Sequence, residues 1–358
     1  MKKTYCIHIM LCALLVLGVF PSTALAKDDE GAESLGYVVS TVRSGKQIDP
    51  EKTYFYLKTV PGEEQELKVK VKSTQKEPIK IKVYSEDAYT GVGGTIEYTE
   101  DKKLLDATLE KPITSLVKIE TPSITVENFE EKEAIIKLTP PIENYSGVKM
   151  GVLVFELDDG DSKEMVSSKF AYRVGLMISE TGDDYLDSKT LHLLEAKSTI
   201  VRGKKMILAN LQNPEPKVLA NMEMVAEVKS KGSQTVLKKK AVQNYSMAPN
   251  SSFNFEIDWG TAAVNPGAYT LTLTAANEYN DWKFEKDFTI SGTQARKMNE
   301  ESAFKIITPT WIKVGAIVAL ILTGIIVVLI FSRRKKMEAE WKKRRKKRKK
   351  RKKKKEGN

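Results

Sequence analysis

Lys68, Lys70 and Lys72 alternate with Leu67, Val69 and Val71, and Lys80 and Lys82 alternate with Ile79, Ile81 and Val83. In an extended chain every second side chain points the same way, so each lysine set occupies one face of a strand. Pairing the two segments as a hairpin across the turn-rich residues 73–78 puts five ammonium groups on one side. Leu67, Val69, Val71, Ile79, Ile81 and Val83 then face inward. Such a strip offers charge-assisted hydrogen bonds to phosphate or carboxylate, so an anionic polymer is its natural ligand. The competing reading is that the lysines keep an exposed strand from pairing with other chains.

Other chemistry is sparse. Asp158-Asp159-Gly160-Asp161 could offer oxygen ligands to calcium, but Asp-Gly is a common turn pair and no bidentate glutamate follows at EF-hand spacing. A solvated hairpin turn is the better reading. Beyond residue 26 the only histidine is His192, in the alternating Leu191-His192-Leu193, where a solvated strand residue is expected. A catalytic base also needs a nucleophile and an orienting partner. Cys6 and Cys12 are the only cysteines, so the rest of the chain has no disulfide, thiol nucleophile or common zinc site. No catalytic residue, cofactor or metal is assigned. Tyr245, Phe253, Phe255, Tyr269, Trp282, Phe284 and Phe288 gather in the last strand-like segments, mostly as core; an exposed part of the set would receive a partner.

The elements that carry these residues are strands. Period-two alternation runs from about residue 35 to 290, with segments at 53–58, 66–72, 79–84, 123–126, 134–138, 149–157 and 169–178. After the polar stretch 179–189, which contains Gly182-Asp183-Asp184, a second series follows at 191–194, 205–212, 221–229, 235–241, 252–257, 268–275 and 282–290. The fold class is therefore all-β: two tandem immunoglobulin-like sandwiches, at 35–180 and 189–291, with one C-terminal transmembrane helix. Residues 292–310 lose the alternation and read as a juxtamembrane spacer, helical around 300–306.

Both ends carry address information. Lys2 and Lys3, an apolar stretch over 9–20 and Ala24-Leu25-Ala26 read as a signal peptide spanning 1–26. The uncharged run 314–331 makes a helix of about 27 Å, close to the hydrocarbon thickness of a bilayer. The span is set at 312–331, bounded by Trp311 and Lys313 on one side and Arg333 and Arg334 on the other. Residues 332–358 form a polybasic tail with fourteen consecutive basic residues at 342–355. By the positive-inside bias the tail is cytoplasmic and the sandwiches lie outside, in a single-pass membrane protein. The whole-chain charge of +11 hides a mildly acidic middle: residues 27–331 carry 38 basic and 44 acidic side chains. A nucleic-acid partner is therefore not expected; the tail reads as a topology signal with anionic lipid within its reach. Gly315, Ala319 and Thr323, four apart, give a weak pairing signal in the span.

Some motifs add a resemblance. They are Tyr56-Leu57-Lys58, Pro61-Gly62, Gly94-Thr95-Ile96-Glu97-Tyr98 and Pro112-Ile113-Thr114 in the first domain. In the second they are Asn213-Pro214, Met247-Ala248-Pro249-Asn250, Asp258-Trp259-Gly260, Pro266-Gly267-Ala268-Tyr269 and Trp282-Lys283-Phe284. Their order, with the signal, span and tail, resembles the WxL-interacting proteins of Gram-positive bacteria. The resemblance implies an N-terminal peptidoglycan-binding domain, a second host-binding domain and partners carrying WxL domains. This chain has no Trp-x-Leu itself. The expected function is non-enzymatic: a membrane-anchored scaffold that associates with peptidoglycan and WxL-domain proteins in a cell-wall complex, with Lys68, Lys70, Lys72, Lys80 and Lys82 as candidate wall-polymer contacts. The alternatives are an adhesin for a host extracellular-matrix protein, and a wall-modifying enzyme using carboxylates in the cleft between domains.

Overall fold

The computed structural model describes residues 36–158, 170–305 and 309–355. The segment read as a signal peptide, and Asp159, Gly160 and Asp161, lie outside the described residues. Two antiparallel-rich sheets form the first sandwich. One has the order β1-β3-β8-β6, with β1 at Tyr37–Thr41, β3 at Gln65–Ser73, β6 at Val117–Ile119 and β8 at Glu131–Leu138. The other has the order β2-β10-β9-β4-β5, with β7 also on β4. These are β2 Phe55–Lys58, β4 Ile79–Thr90, β5 Ile96–Thr99, β7 Ser123–Val126, β9 Lys149–Leu157 and β10 Ala171–Ser179. Strand β10 runs parallel to β2 and antiparallel to β9.

The predicted hairpin does not form. Strand β3 is flanked by β1 and β8, and β4 by β9 on one side and β7 and β5 on the other, so neither has a free edge for its sequence neighbour. Residues 74–78 cross from one sheet to the facing one, held where the Thr74 N–H donates to the Gly36 carbonyl at 2.9 Å. The predicted faces are nonetheless right. Leu67, Val69 and Val71 from one sheet meet Ile79, Ile81 and Val83 from the other in a single core with Phe155 and Ile136, all at most 4% exposed. The Tyr37 hydroxyl is satisfied inside this core by the Phe155 carbonyl at 2.8 Å.

The second sandwich has sheets of order β11-β12-β15 and β14-β13-β16-β17. Its strands are β11 His192–Val201, β12 Lys204–Asn213, β13 Leu219–Ser230, β14 Val236–Met247, β15 Ser251–Asp258, β16 Gly267–Ala276 and β17 Asp281–Ile290. Alternation again sets the faces: Met222, Met224, Ala226 and Val228 are fully buried on β13, while Glu223 and Glu227 lie on its other face.

One compact unit runs up to Lys197 and takes in Leu208–Ile257 and Ala268–Phe288, so the first sandwich and much of the second belong to it. The polar stretch after Ser179 is pinned down. Val218 N–H donates to the Tyr185 carbonyl at 2.7 Å, Ser188 N–H to the Val218 carbonyl at 3.3 Å, and Lys217 pairs with Asp187 at 2.6 Å. Three further contacts join the sandwiches. Thr90 Oγ1 lies 2.6 Å from Ser251 Oγ and accepts from the Ala248 N–H at 3.0 Å, all of it buried. The Tyr245 ring lies against Gly94, whose positive φ of 70° and missing Cβ leave room for it. Val148 N–H donates to the Pro216 carbonyl at 2.8 Å.

The other unit comprises Ser198–Ile207, Asp258–Gly267 and the chain from Thr289 onward. The expected spacer is mostly structured, and its helix comes earlier than predicted: α2 spans Gly292–Glu301, after the one-turn α1 at Ile113–Leu116. Ser291 caps α2 by accepting the Gln294 N–H at 3.2 Å, and Ala295 and Met298 are buried. The alternation rule fails here because a helix buries residues three and four apart. Finally α3 runs unbroken over Thr310–Lys355.

Candidate binding surfaces

The five lysines do not share a face. Lys68, Lys70 and Lys72 lie on the outside of β3, while Lys80 and Lys82 lie on the outside of β4 in the opposite sheet, so the sandwich core separates them. Nor is either set an open cationic strip. Lys70 pairs with Glu131 at 2.8 Å, and Lys68 reaches Glu133 at 3.5 Å and Glu66 at 3.7 Å. Glu131 and Glu133 sit across the ladder on β8, where Lys70 faces Glu133 and Lys72 faces Glu131, while Glu66 is on β3 itself. A hydrogen bond from Lys70 holds the Glu131 carboxyl below the ordinary carboxylate range, and the same bond raises Lys70. On the other face Asp158 binds Lys80 at 3.1 Å and Lys82 at 3.0 Å. The bonds from Lys82 and then Lys80 keep its carboxyl low. Asp158, the first residue of the acidic run, is thus engaged by lysines.

Beside it the outer face of β4, β9 and β10 carries a polar lattice. Tyr84 Oη donates to Glu156 at 2.8 Å, and Arg173 Nε donates to Glu86 at 3.2 Å. Burial first, and then the bond to Glu156, push the Tyr84 phenol well above its usual value. Arg173 is half exposed and Glu86 is nearly covered, so the guanidinium is aimed from a fixed base. The cross-strand register places Tyr84 and Arg173 on either side of Val154. This face presents a phenol, a guanidinium and a carboxylate in fixed array, which suits hydrogen bonding to a hydroxyl- and amide-rich ligand.

Acid–base and metal chemistry gain no support. His192 is exposed at the start of β11, as the sequence implied. Among the described residues no group of three histidine, cysteine, aspartate or glutamate side chains is placed to hold a metal. Buried Asp87, the best placed unusual carboxylate, accepts from the Thr114 N–H at 2.9 Å and the Thr114 hydroxyl at 2.6 Å at the start of α1. Burial raises its carboxyl, and those bonds oppose the rise. It shapes the fold.

On the second sandwich a shallow groove of about 490 Å³ crosses β14, β13, β16 and β17, lined by Glu223, Val225, Gln243, Thr274, Trp282 and Lys283 among others. Trp282 is half-buried and its indole N–H donates to the Lys189 carbonyl at 3.3 Å. Further along β17 Phe288 stacks on Tyr269 with ring centroids 5.6 Å apart, as core. Trp282 and Phe284 on β17 and Tyr245 on β14 are half-buried, so part of the predicted aromatic set reaches solvent while Phe253, Phe255, Tyr269 and Phe288 are core.

Among the described residues one helix, α3, is long and apolar enough to cross a membrane by length and composition. Trp311, Lys313, Arg333 and Arg334 all lie on it and are exposed, at the two ends of its apolar run. Sequence reasoning missed the Thr90–Ser251–Ala248 network and the Gly94–Tyr245 contact. Their residues are some 150 positions apart, and no local pattern marks them.

Residues 37–156 match the WxL Interacting Protein peptidoglycan binding domain, and residues 161–300 match the WxL Interacting Protein host binding domain. Strand β10 falls in the second matched stretch, although it lies between β2 and β9 in a sheet of the first sandwich. No curated protein matches the chain. Among solved structures the CsuC–CsuE chaperone–tip adhesin pre-assembly complex of Acinetobacter baumannii is similar at 14% identity. That likeness covers 70% of this chain and 97% of that one, with a TM-score of 0.32. The YadV chaperone is similar at 10% identity over 71% of this chain and all of that one, with a TM-score of 0.27. The PapD-like domain 7 of human CEP192 shares 13% identity over 45% of this chain and 96% of its own length, also at a TM-score of 0.27.

Proposed function

Because the chain belongs to the WxL Interacting Protein family, with both of its domains in order, we propose that it is a membrane-anchored scaffold holding WxL-domain proteins at the peptidoglycan. The coarse reading is that of a surface protein that binds cell wall and host. The finer reading adds a WxL partner and an anchor. What carries it is the succession of two binding domains and one helix able to span a bilayer. In this reading α3 holds the chain in the membrane, its basic end stays in the cytoplasm and the sandwiches face the wall.

Within the first sandwich the β4–β9–β10 face around Tyr84, Glu86 and Arg173 is the wall-facing surface we favour, since its donors and acceptors are fixed by pairing. Lys68, Lys70 and Lys72, or Lys80 and Lys82 on the opposite side, stay in the proposal as contacts that an anionic wall polymer gains by displacing Glu131, Glu133 or Asp158. The groove beside Trp282 is the corresponding host-protein surface in the second sandwich. Both domains act by binding, and neither supplies a reaction.

Cross-linking of the full chain in its native membrane, with identification of the captured proteins, tests the partner. A WxL-domain protein is the expected catch, and its repeated absence removes the scaffold reading. Cleavage of purified peptidoglycan by the full chain in detergent would overturn the non-enzymatic assignment, whereas co-sedimentation without cleavage supports it.

A further inference from the structure

The lower pole of the second sandwich is tied to the start of the span by very little chain. The β11–β12 turn is made by Arg202 and Gly203, both at positive φ (48° and 73°). Gly203 accepts from the Ser302 hydroxyl at 3.0 Å and from the Ala303 N–H at 2.9 Å through its one carbonyl oxygen. Ser302 is 2% exposed. Beside it the Lys204 ammonium lies 5.4 Å from the centre of the Phe304 ring. The loop before β16 joins the same pole: the Asn299 side chain pairs with both backbone groups of Val264 at 2.8 Å, and Lys205 donates to the Thr261 and Ala262 carbonyls at 3.1 and 2.6 Å. Residues 302–304 are thus fixed to the sandwich.

Helix α3 begins at Thr310. The five peptide steps from Lys305 to Thr310 reach at most about 18 Å, whatever their conformation. Thr310 itself precedes Val314, where the apolar run begins, by four residues, or about 6 Å of helix, which is the depth of a headgroup layer. The exposed groups on the tethered pole include Arg202, Phe304 and Lys305, beside the acidic Asp258, Glu300 and Glu301, with Phe304 50% exposed on a surface that does not bury it. An aromatic ring flanked by basic side chains is the composition of a membrane-interface contact.

We propose that this pole is a docking surface for phospholipid headgroups, with Phe304 entering the headgroup layer and Arg202, Lys204 and Lys305 binding lipid phosphates. The proposal rests on the reading of α3 as the membrane span. Each of these cations also has a partner within the protein: Lys204 lies 3.8 Å from Asp258 and Lys305 donates to the Glu300 carbonyl at 2.5 Å, so lipid phosphate competes with those contacts. The consequence is that this pole rests against the bilayer, and does not swing on a leash.

The test uses the full chain in nanodiscs of phosphatidylglycerol or of phosphatidylcholine. Cys6 and Cys12 are replaced by serine, and a fluorophore is placed on Ala263→Cys, an exposed residue of the pole. Quenching by headgroup-labelled lipid reports contact. A flexible insert of about 20 residues between Lys305 and Pro309 removes the tether's constraint, since such a coil has a root-mean-square reach of about 25 Å. Docking predicts that quenching survives the insert in phosphatidylglycerol. In Arg202→Gln/Lys305→Gln, which leaves the Ser302–Gly203 contacts in place, the docked-to-free ratio falls about 25-fold, from roughly fivefold per cation near an anionic surface. Loss of quenching on lengthening the tether alone overturns docking. Failure of the chain to enter nanodiscs overturns the span itself, a separate result read from co-elution before any quenching is measured.

Discussion

Replacing Thr90 by valine should loosen the junction between the sandwiches, and the cost follows from the hydrogen-bond accounting. Ser251 Oγ donates its single proton to the Ala248 carbonyl at 2.7 Å, so the 2.6 Å contact between the two hydroxyls must use the Thr90 proton. Thr90 Oγ1 in turn accepts from the Ala248 N–H. Valine has nearly the same shape but leaves that N–H without a partner at a residue that is 0% exposed. An orphaned buried donor costs about 1–3 kcal/mol, and the lost hydroxyl pair adds to it, so about 2–3 kcal/mol is expected. Thr90→Ser keeps the hydroxyl and gives up one methyl, about 1 kcal/mol. Urea unfolding followed by Trp259 and Trp282 fluorescence, with Trp311 and Trp341 changed to phenylalanine, reads the second sandwich directly. At a slope of about 2 kcal/mol/M the valine midpoint drops by about 1–1.5 M and the serine midpoint by about half that or less. Equal shifts for the two variants, or none for valine, would refute the network as a source of stability.

Other outcomes follow from the same geometry. Gly147→Ala should destabilise by 2 kcal/mol or more on the order of backbone-strain costs, because φ is 69° and the new Cβ collides with the Pro216 carbonyl; a melting temperature equal to wild type contradicts it. Lys217 holds the Asp187 carboxyl low, chiefly through their hydrogen bond, so the pair stabilises the fold above about pH 4 and that contribution fades as pH falls through the depressed folded value. Asp187→Asn should flatten the acid limb of a stability-versus-pH curve below pH of about 4 while lowering stability at neutral pH, and an unchanged limb would exclude the pair as its cause. Glu131→Gln with Glu133→Gln frees Lys70 and leaves Lys68 only Glu66; sedimentation with purified walls should rise and become more salt-sensitive, whereas unchanged binding removes these lysines from wall contact.

Alternation told which side chains are buried, and it told little about which strands are neighbours. Leu67 through Val83 were placed on the right faces because a half-buried strand of either sheet needs the same period of two. The partner of β3 is chosen by contacts with β1 and β8, whose residues come from both sides of it in sequence, and no feature of residues 66–84 records that choice. The parallel seam of β10 on β2 is equally non-local. Helix α2 was legible and overlooked: Ser291 and Gln294 have the spacing of a capping box, and Ala295 and Met298 are three apart. The Arg173–Glu86 and Tyr84–Glu156 pairs needed the register of β4 against β9 and β10, which only the fold supplies.

The corrected lysine geometry changes what kind of wall polymer the first sandwich could select. Exposed ion pairs are weak because water screens them, so Glu131, Glu133 and Asp158 cannot lock their lysines away from a competing anion. They do reduce the net field, so a single phosphate or carboxylate finds little attraction on either face. A polymer presenting several anions at the spacing of alternate strand residues, about 7 Å, can exchange all the pairs on one face together. Each exchange is nearly neutral alone, but the ordering cost of the polymer is met once while the contacts repeat, as in any multivalent attachment. The lattice of lysines and glutamates therefore favours repetitive anionic chains over small ions. Free phosphate at millimolar concentration should compete poorly with wall fragments, and the competition should sharpen with fragment length.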